Sequence, residues 1–168
     1  MILEIIDDNG FLPEGAAELI EKTAETAEKT EGVTGLTACL TIVDGEEIRA
    51  LNKRMRNVDS ETDVLSFPTV KYNYPLTARD SADKLKRAYD PDYDAPFIGD
   101  IVLNVSRARE QAEEFGHSLA REMGYLTCHA MFHLMGYDHM NDIDKPKMRE
   151  MEKKVMAEMN LLRFGEEA

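Results

Sequence analysis

The sequence is poor in cysteine and has no long apolar run, and these absences exclude several classes of protein. The two cysteines, Cys39 and Cys128, have no Cys-x-x-Cys partner, so we expect two reduced thiols and no disulfide framework. No apolar run is long enough to span a bilayer. The first residues, MILEIIDDNG, lack the basic flank and cleavage site of a secretory signal. We therefore expect a cytoplasmic protein that does not bind membranes.

Basic residues are also scarce, with 20 lysines and arginines against 33 acidic residues and a net charge of −13. Binding to nucleic acid without sequence preference needs lysine and arginine to neutralise phosphates, so the overall charge argues against it. A local basic patch could still hold a phosphate backbone. The candidates are Arg49, Lys53, Arg54 and Arg56, with Arg107 and Arg109, and then Lys84, Lys86 and Arg87 among tyrosines that could stack on bases.

The length and pattern of the chain predict one domain over residues 1–168, without repeats or linkers. Apolar and β-branched runs predict strands at 1–6, 36–43, 64–67 and 98–105. Helical spacing, Pro13 in a first turn and Ser118 as a cap predict helices at 13–29, 46–56, 106–115, 118–135 and 146–162. Because strands and helices do not alternate strictly, we expect the α+β class, with a small mixed sheet covered by helices.

A long segment at about 69–97 separates the third and fourth predicted strands. It holds three of the six prolines and four of the six tyrosines. Connections longer than about 15 residues without clear structure are usually functional or disordered. We therefore predict a long loop insertion, with room for a short helix near 82–89.

Three of the four histidines fall within 129–139, in the order His129-x-x-x-His133-x-x-Gly136-x-x-His139. Helix positions i and i+4 share one face, with Cβ atoms about 5–6 Å apart, so two imidazoles can reach one ion. Gly136 can take the left-handed conformation that ends a helix, which lets the chain return His139 to the same point. Three imidazoles leave one tetrahedral position open, as in catalytic zinc sites. The pattern predicts one zinc ion per chain.

Other metals and another class of enzyme share parts of this pattern. Imidazole also suits copper, iron and nickel, so the pattern favours zinc without excluding them. The spacing is that of metzincin proteases, but those enzymes place their general base, a glutamate, directly after the first histidine. Ala130 stands at that position, which argues against peptide chemistry of that kind. His117 lies outside the pattern and is predicted to be a surface histidine.

Three blocks of sequence resemble the YbeY family. Residues 129–139 match its hallmark H-G-x-L-H-L-x-G-Y-D-H except at Ala130 and Phe132, and neither departure touches a histidine. Residues 51–56 and 62–68 are similar to its L-N-x-x-x-R and T-D-V-L-S-F-P, and residues 99–102 to its G-D-I-x strand. The blocks keep the family's order and span about 51–142. Residues 69–97 look longer than usual for the family, and nothing is carried over to them.

The resemblance implies roles for particular residues. His129, His133 and His139 would hold zinc in a zincin-like site at the end of a helix, and Arg56 would be the essential arginine beside it. An arginine fork can clamp phosphate oxygens and neutralise developing charge, although Arg56 alone would read as a solvated residue at a helix end. Asp138 either orients a ligand imidazole or serves as a turn residue. Asp63, Ser66 and Asp100 either contact RNA or finish strands, and we favour the structural role.

The family's members are described as bacterial rRNA maturation factors and single-strand-specific metallo-endoribonucleases. The resemblance therefore implies cleavage of single-stranded RNA in 16S rRNA 3′-end maturation and ribosome quality control, with ribosomal small-subunit components as partners. Two alternatives stay open at this point. One is a zinc hydrolase of peptides or small esters, and the other is a non-catalytic ribosome-assembly factor with a structural metal. The sequence gives neither the oligomeric state nor the general base.

Overall fold

A mixed sheet forms the centre of the fold in the computed structural model, which describes residues 1–162. Its strands are β1 (Ile2–Ile6), β2 (Thr37–Val43), β3 (Val64–Pro68), β4 (Tyr89–Asp90) and β5 (Ala95–Asn104). The order is β1-β2-β5-β3, with β4 paired to the start of β5. β1, β2 and β5 run parallel, and β3 runs antiparallel at the edge. The predicted α+β class with a small mixed sheet is confirmed.

Within residues 1–162, six α-helices accompany the sheet: α1 (Ala16–Glu31), α2 (Gly45–Arg56), α3 (Ala82–Arg87), α4 (Val105–Phe115), α5 (Leu119–Leu134) and α6 (Asp144–Glu158). Ser118 caps α5 as predicted, because its side chain accepts a hydrogen bond from the backbone N–H of Arg121. Asp44 caps α2 in the same way, through the N–H of Glu47. Among residues 1–162, no helix is long and apolar enough to cross a membrane.

Several predicted boundaries were wrong, including those of the strand predicted at 98–105, which is found as Ala95–Asn104. Three others differ for identifiable reasons. Pro13 lies in a turn ahead of α1 rather than in its first helical turn, because Gly15 takes φ 79 and the helix begins after it. The last helix ends at Glu158 and not at 162, because Asn160 takes φ 57, which an α-helix cannot continue through. β3 extends one residue beyond the predicted 64–67, because Pro68 pairs with Gly99 and is its last residue.

Helix α5 is the most deeply buried helix and packs against α1, α4, α6 and the sheet. Its side chains Met131, Phe132 and Leu134 are fully buried. Burying one large apolar side chain contributes about 1.5–3 kcal/mol, so this helix is held firmly from several directions. The opposite face of the sheet carries a smaller cluster of Val43, Leu65 and Val102 under Ile48 of α2. The fold therefore gives α5 a rigid position, and α5 carries two of the three clustered histidines.

The segment 69–97 is more regular than the long loop expected there. It contains a single 3-10 turn (Ala78–Asp80), helix α3 and strand β4. Val70, Ala78 and Leu85 are buried in the main core and anchor the segment. The predicted short helix near 82–89 is present as α3, which ends at Arg87.

A buried carboxylate ties this segment to the rest of the domain. Glu31, at the end of α1, accepts hydrogen bonds from the Thr77 hydroxyl at 2.6 Å and from the Arg79 N–H at 3.0 Å. Its second oxygen accepts from the Tyr137 hydroxyl at 2.7 Å. Glu31 thus joins α1, the segment 69–97 and the loop between the second and third clustered histidines.

Candidate metal centre

The candidate metal centre lies where α5 ends. His129 and His133 stand one turn apart on the same helix. Gly136 takes φ 100, a conformation that favours glycine, as predicted. The N–H of Tyr137 bonds back to the carbonyl of Phe132 at 2.9 Å, which closes the helix end. The chain then turns and brings His139 beside the other two rings.

The ring nitrogens of the three histidines converge. Nε2 of His133 lies 3.1 Å from Nε2 of His129 and 2.9 Å from Nδ1 of His139. The candidate ligand atoms of all three residues lie within 4.8 Å of one another. Lone pairs this close repel unless a proton or a cation lies between them. A tetrahedral ion with nitrogens at about 2.0–2.1 Å separates its ligands by about 3.3–3.4 Å, so these residues fit a metal ion.

Two further contacts hold the rings in place. Nδ1 of His129 lies 2.6 Å from Oε1 of Glu152, a carboxylate on α6 whose side chain is only 6% exposed. Nδ1 of His133 lies 3.0 Å from the carbonyl oxygen of Tyr137. An N–H at Nδ1 that donates to these acceptors leaves Nε2 as the free ligand atom, and metal-binding histidines usually donate their other ring N–H in this way.

Sequence reasoning missed Glu152, although a signal was present. Met148, Met151, Val155 and Met156 are buried at helical spacing on α6, and Glu152 interrupts this apolar row. A lone acidic residue on a buried helix face needs a partner, because an unpaired buried charge is costly.

We expected Asp138 either to orient an imidazole or to shape a turn. Its hydrogen bonds are those of a turn residue. Its Oδ1 accepts from the N–H groups of His139 at 2.7 Å and Met140 at 3.0 Å. Among residues 1–162, no hydrogen bond joins its carboxylate to a ring nitrogen of the cluster. A catalytic role for Asp138 stays a prediction.

The surroundings of His133 favour its neutral imidazole form. Burial, and next the neighbouring His129 and His139, lower the pKa of His133 from 6.5 to about 4. His133 is therefore in its metal-binding form at neutral pH. Burial and the carboxylate of Glu152 raise the pKa of Tyr125, so that phenol stays protonated.

The three histidines open onto a cleft of about 800 Å³. Alternate residues of the edge strand β3 form one wall, and the loop after α5 forms another. The exposed Arg56, at the end of α2, stands on the rim of this same cleft. The lining residues that matter for the chemistry are Arg56, Ser66, Lys71, Tyr72, Ala130 and Asp138, with the three histidines.

The other predicted basic residues are not gathered at the cleft. Arg49 and Lys53 pair with Asp59, at 2.8 and 3.9 Å. Arg107 pairs with Glu110 at 3.0 Å. Among the described residues, Arg56 and Lys71 are the cleft's lysines and arginines, and Lys71 was not foreseen.

The remaining predicted residues divide between structure and surface. Asp63 bonds to the N–H of Val64 at 2.7 Å and accepts from Gln111 at 3.2 Å, which is a structural role. The expectation of a surface position for His117 was wrong, because its side chain is only 10% exposed. Its Nε2 lies 3.0 Å from the buried carboxylate of Glu122 in the first turn of α5. This contact accounts for the largely buried position of the His117 side chain. Cys39 and Cys128 are free, as predicted.

Comparison with known proteins identifies the family. The family model described as endoribonuclease YbeY matches residues 6–160. A Bacillus licheniformis protein named endoribonuclease YbeY is 40% identical over 164 residues, covering 97% of this chain and 98% of that one. Its namesake from Caldanaerobacter subterraneus subsp. tengcongensis is 42% identical over 147 residues, covering 88% and 89%.

A solved structure agrees at the level of the fold. The solution structure of a Thermotoga maritima protein aligns with a TM-score of 0.58 at 24% identity, covering 95% of this chain and 92% of that one. The matches to the family model and to the named proteins extend over nearly the whole length and include the histidine cluster. The chain therefore belongs to the endoribonuclease YbeY family.

Proposed function

We propose that this protein is a zinc-dependent endoribonuclease that hydrolyses single-stranded RNA. We further propose that it acts in the cytoplasm in 16S rRNA 3′-end maturation and ribosome quality control, in association with the small ribosomal subunit. The observation that carries the chemistry is the placement of Arg56 on the rim of the cleft into which the three histidines open. The family relationship supports RNA as the substrate.

The residues present suit hydrolysis of a phosphodiester. His129, His133 and His139 would hold the zinc ion, and the bound ion would supply Lewis-acid chemistry toward a phosphate. The Arg56 guanidinium can clamp two phosphate oxygens and stabilise the negative charge that develops on them. Among the described residues, no carboxylate pairs with Arg56 in an ion pair, so its charge is available to a phosphate.

The site is less suited to peptide hydrolysis. Ala130 lies in the cleft at the position where metzincins carry their general base. Asp138 is the one carboxylate among the described residues that line the cleft, and its Oδ1 already accepts two backbone hydrogen bonds. The cleft thus offers a cation for phosphate but no free carboxylate at the metzincin position.

Arg56→Ala is the sharpest test, with Arg54→Ala as its control. Both arginines are exposed on the last turn of α2, but only Arg56 lines the cleft. Removing a group that stabilises developing charge costs about 10²–10³ in kcat. We expect that loss for Arg56→Ala and parental cleavage of a labelled single-stranded RNA for Arg54→Ala.

Each of the other outcomes points to a different function. Hydrolysis of peptides or small esters, with RNA left intact by the zinc-loaded parent, would contradict the nuclease and support a different zinc hydrolase. Tight binding to small ribosomal subunits that survives Arg56→Ala, with no cleavage by the parent, would support a non-catalytic assembly factor.

A further inference from the structure

A second depression adjoins the metal cleft. We call it the basic groove, and it has a volume of about 210 Å³. Thr69, Val70, Lys71, Lys84, Arg87 and Ala88 line it. Val70 and Lys71 line the metal cleft as well, so the two depressions are neighbours. The basic groove is built almost entirely from the segment 69–97.

Helix α3 places two cations in the basic groove. Lys84 and Arg87 are three residues apart and share one face of the helix, while Leu85 is buried in the core and fixes the helix. Lys86 is exposed on the same helix but does not line the groove. Lys84 and Arg87 therefore both line the groove, whereas Lys86 lies outside it.

The charges of the basic groove are not neutralised by the protein. The ammonium group of Lys84 donates to the backbone carbonyl of Lys71 and, at 3.2 Å, to the side-chain oxygen of Asn73. Both acceptors are uncharged, so they hold Lys84 in position while its charge remains. Among residues 1–162, no carboxylate forms an ion pair with Lys71, Lys84 or Arg87.

Three cations line this one groove, although the chain has a net charge of −13. Long-range attraction to a polyanion is weak for this protein, so binding of phosphates has to come from a local concentration of positive charge. The basic groove provides it directly beside the metal cleft.

We propose that the basic groove binds backbone phosphates of the RNA strand that flank the phosphate in the metal cleft. This inference rests on the proposed nuclease function and extends it by assigning a path to the strand. Contacts of lysine and arginine with backbone phosphates position the strand but give no sequence specificity. No aromatic side chain of the described part of the chain lines the groove, so it holds the backbone without stacking on bases.

Two tyrosines of the segment 69–97 that were expected to stack on bases do not line the basic groove. The hydroxyls of Tyr74 and Tyr89 bond to Asp144 at 3.1 Å and to Asp94 at 2.6 Å. Neither ring lines the basic groove. The contribution of the segment 69–97 is therefore charge from α3 rather than a stacking platform.

The test compares the double variant Lys84→Gln/Arg87→Gln with Lys86→Gln in the zinc-loaded enzyme. Glutamine at 84 keeps a donor for the two carbonyl groups, so the segment stays anchored. Steady-state cleavage is measured on a single-stranded RNA of about twelve nucleotides and on a dinucleotide, whose single phosphodiester leaves no flanking phosphate for the groove. Melting curves verify that each variant is folded.

For the longer RNA we expect the double variant to raise KM about tenfold with kcat unchanged, and to leave the short RNA unaffected. The slope of log KM against log salt concentration should fall by about 1.4, which is two contacts at about 0.7 each. Lys86→Gln should behave as the parent.

Two results would overturn the inference: equal effects of Lys86→Gln and the double variant, or an unchanged KM and salt slope for the longer RNA. Both require a parent that cleaves RNA, so they leave the nuclease function standing. If the zinc-loaded parent neither cleaves nor binds either RNA, the proposed function and the role of the groove are both refuted.

Discussion

Glu152 should control how tightly the protein holds its metal, although it is not itself a ligand. Its carboxylate lies 2.6 Å from Nδ1 of His129, on the side of the ring opposite the cluster. Replacement by glutamine keeps the shape and an acceptor oxygen but removes the charge that favours Nδ1–H. Loss of a hydrogen-bond partner that orients a metal ligand typically costs 10–100-fold in metal affinity, or about 1.4–2.7 kcal/mol. We expect Glu152→Gln to weaken zinc binding within that range.

Zinc affinity is measured by competition with a chromophoric chelator, and urea unfolding of the metal-free protein is measured in parallel. Glu150→Gln is the matched control, because Glu150 is on the same helix with an exposed side chain that pairs with Lys154 at 2.9 Å. It should leave zinc affinity unchanged. Parental zinc affinity in Glu152→Gln would refute the positioning role. A drop in metal-free stability large enough to account for the weaker binding would assign Glu152 a merely structural role.

Three further predictions concern the surroundings of the site. Glu31→Ala should lower the free energy of unfolding by about 3–5 kcal/mol, since it removes the buried acceptor of three partly buried donors, and unchanged urea unfolding would contradict this. The metal-free protein should lose up to about 3 kcal/mol of stability as pH falls from 6.5 to about 4, because the unfolded chain takes up a proton that folded His133 refuses. His133→Asn should abolish that loss, and a persistent loss would point to another group. Gly136→Ala would place a Cβ 2.7 Å from the Tyr72 ring at φ 100, so zinc affinity should fall about tenfold. Gly116→Ala, at φ 68 in open space, should cost only about 1 kcal/mol of stability and leave zinc affinity unchanged.

The histidine cluster could be predicted from the sequence because local geometry alone determines it. Two ligands one helical turn apart and a glycine that ends the helix are encoded within eleven residues, and the structure has Gly136 at φ 100. The strands and helices could be predicted for the same reason, because their pattern is encoded in residues close together in the sequence. Its errors fell at ends such as Pro13 and Asn160, where a single backbone dihedral decides the boundary.

The supporting residues could not be predicted because they depend on which elements meet in space. Glu152 is 23 residues from His129, and Glu31 is 106 residues from Tyr137. No spacing rule links positions that far apart. Lys71 escaped notice for the same reason, since only the path of the segment 69–97 brings it to the cleft.

Zinc content and RNA cleavage, measured on the same samples, test the central claim most directly. The protein is stripped of metal, zinc is added in steps, and cleavage of a single-stranded RNA is recorded at each step. The account predicts that activity is absent without metal and rises with bound zinc to one ion per chain, and that His133→Ala neither binds zinc nor cleaves. Full cleavage by the metal-free protein, or by His133→Ala, would contradict it.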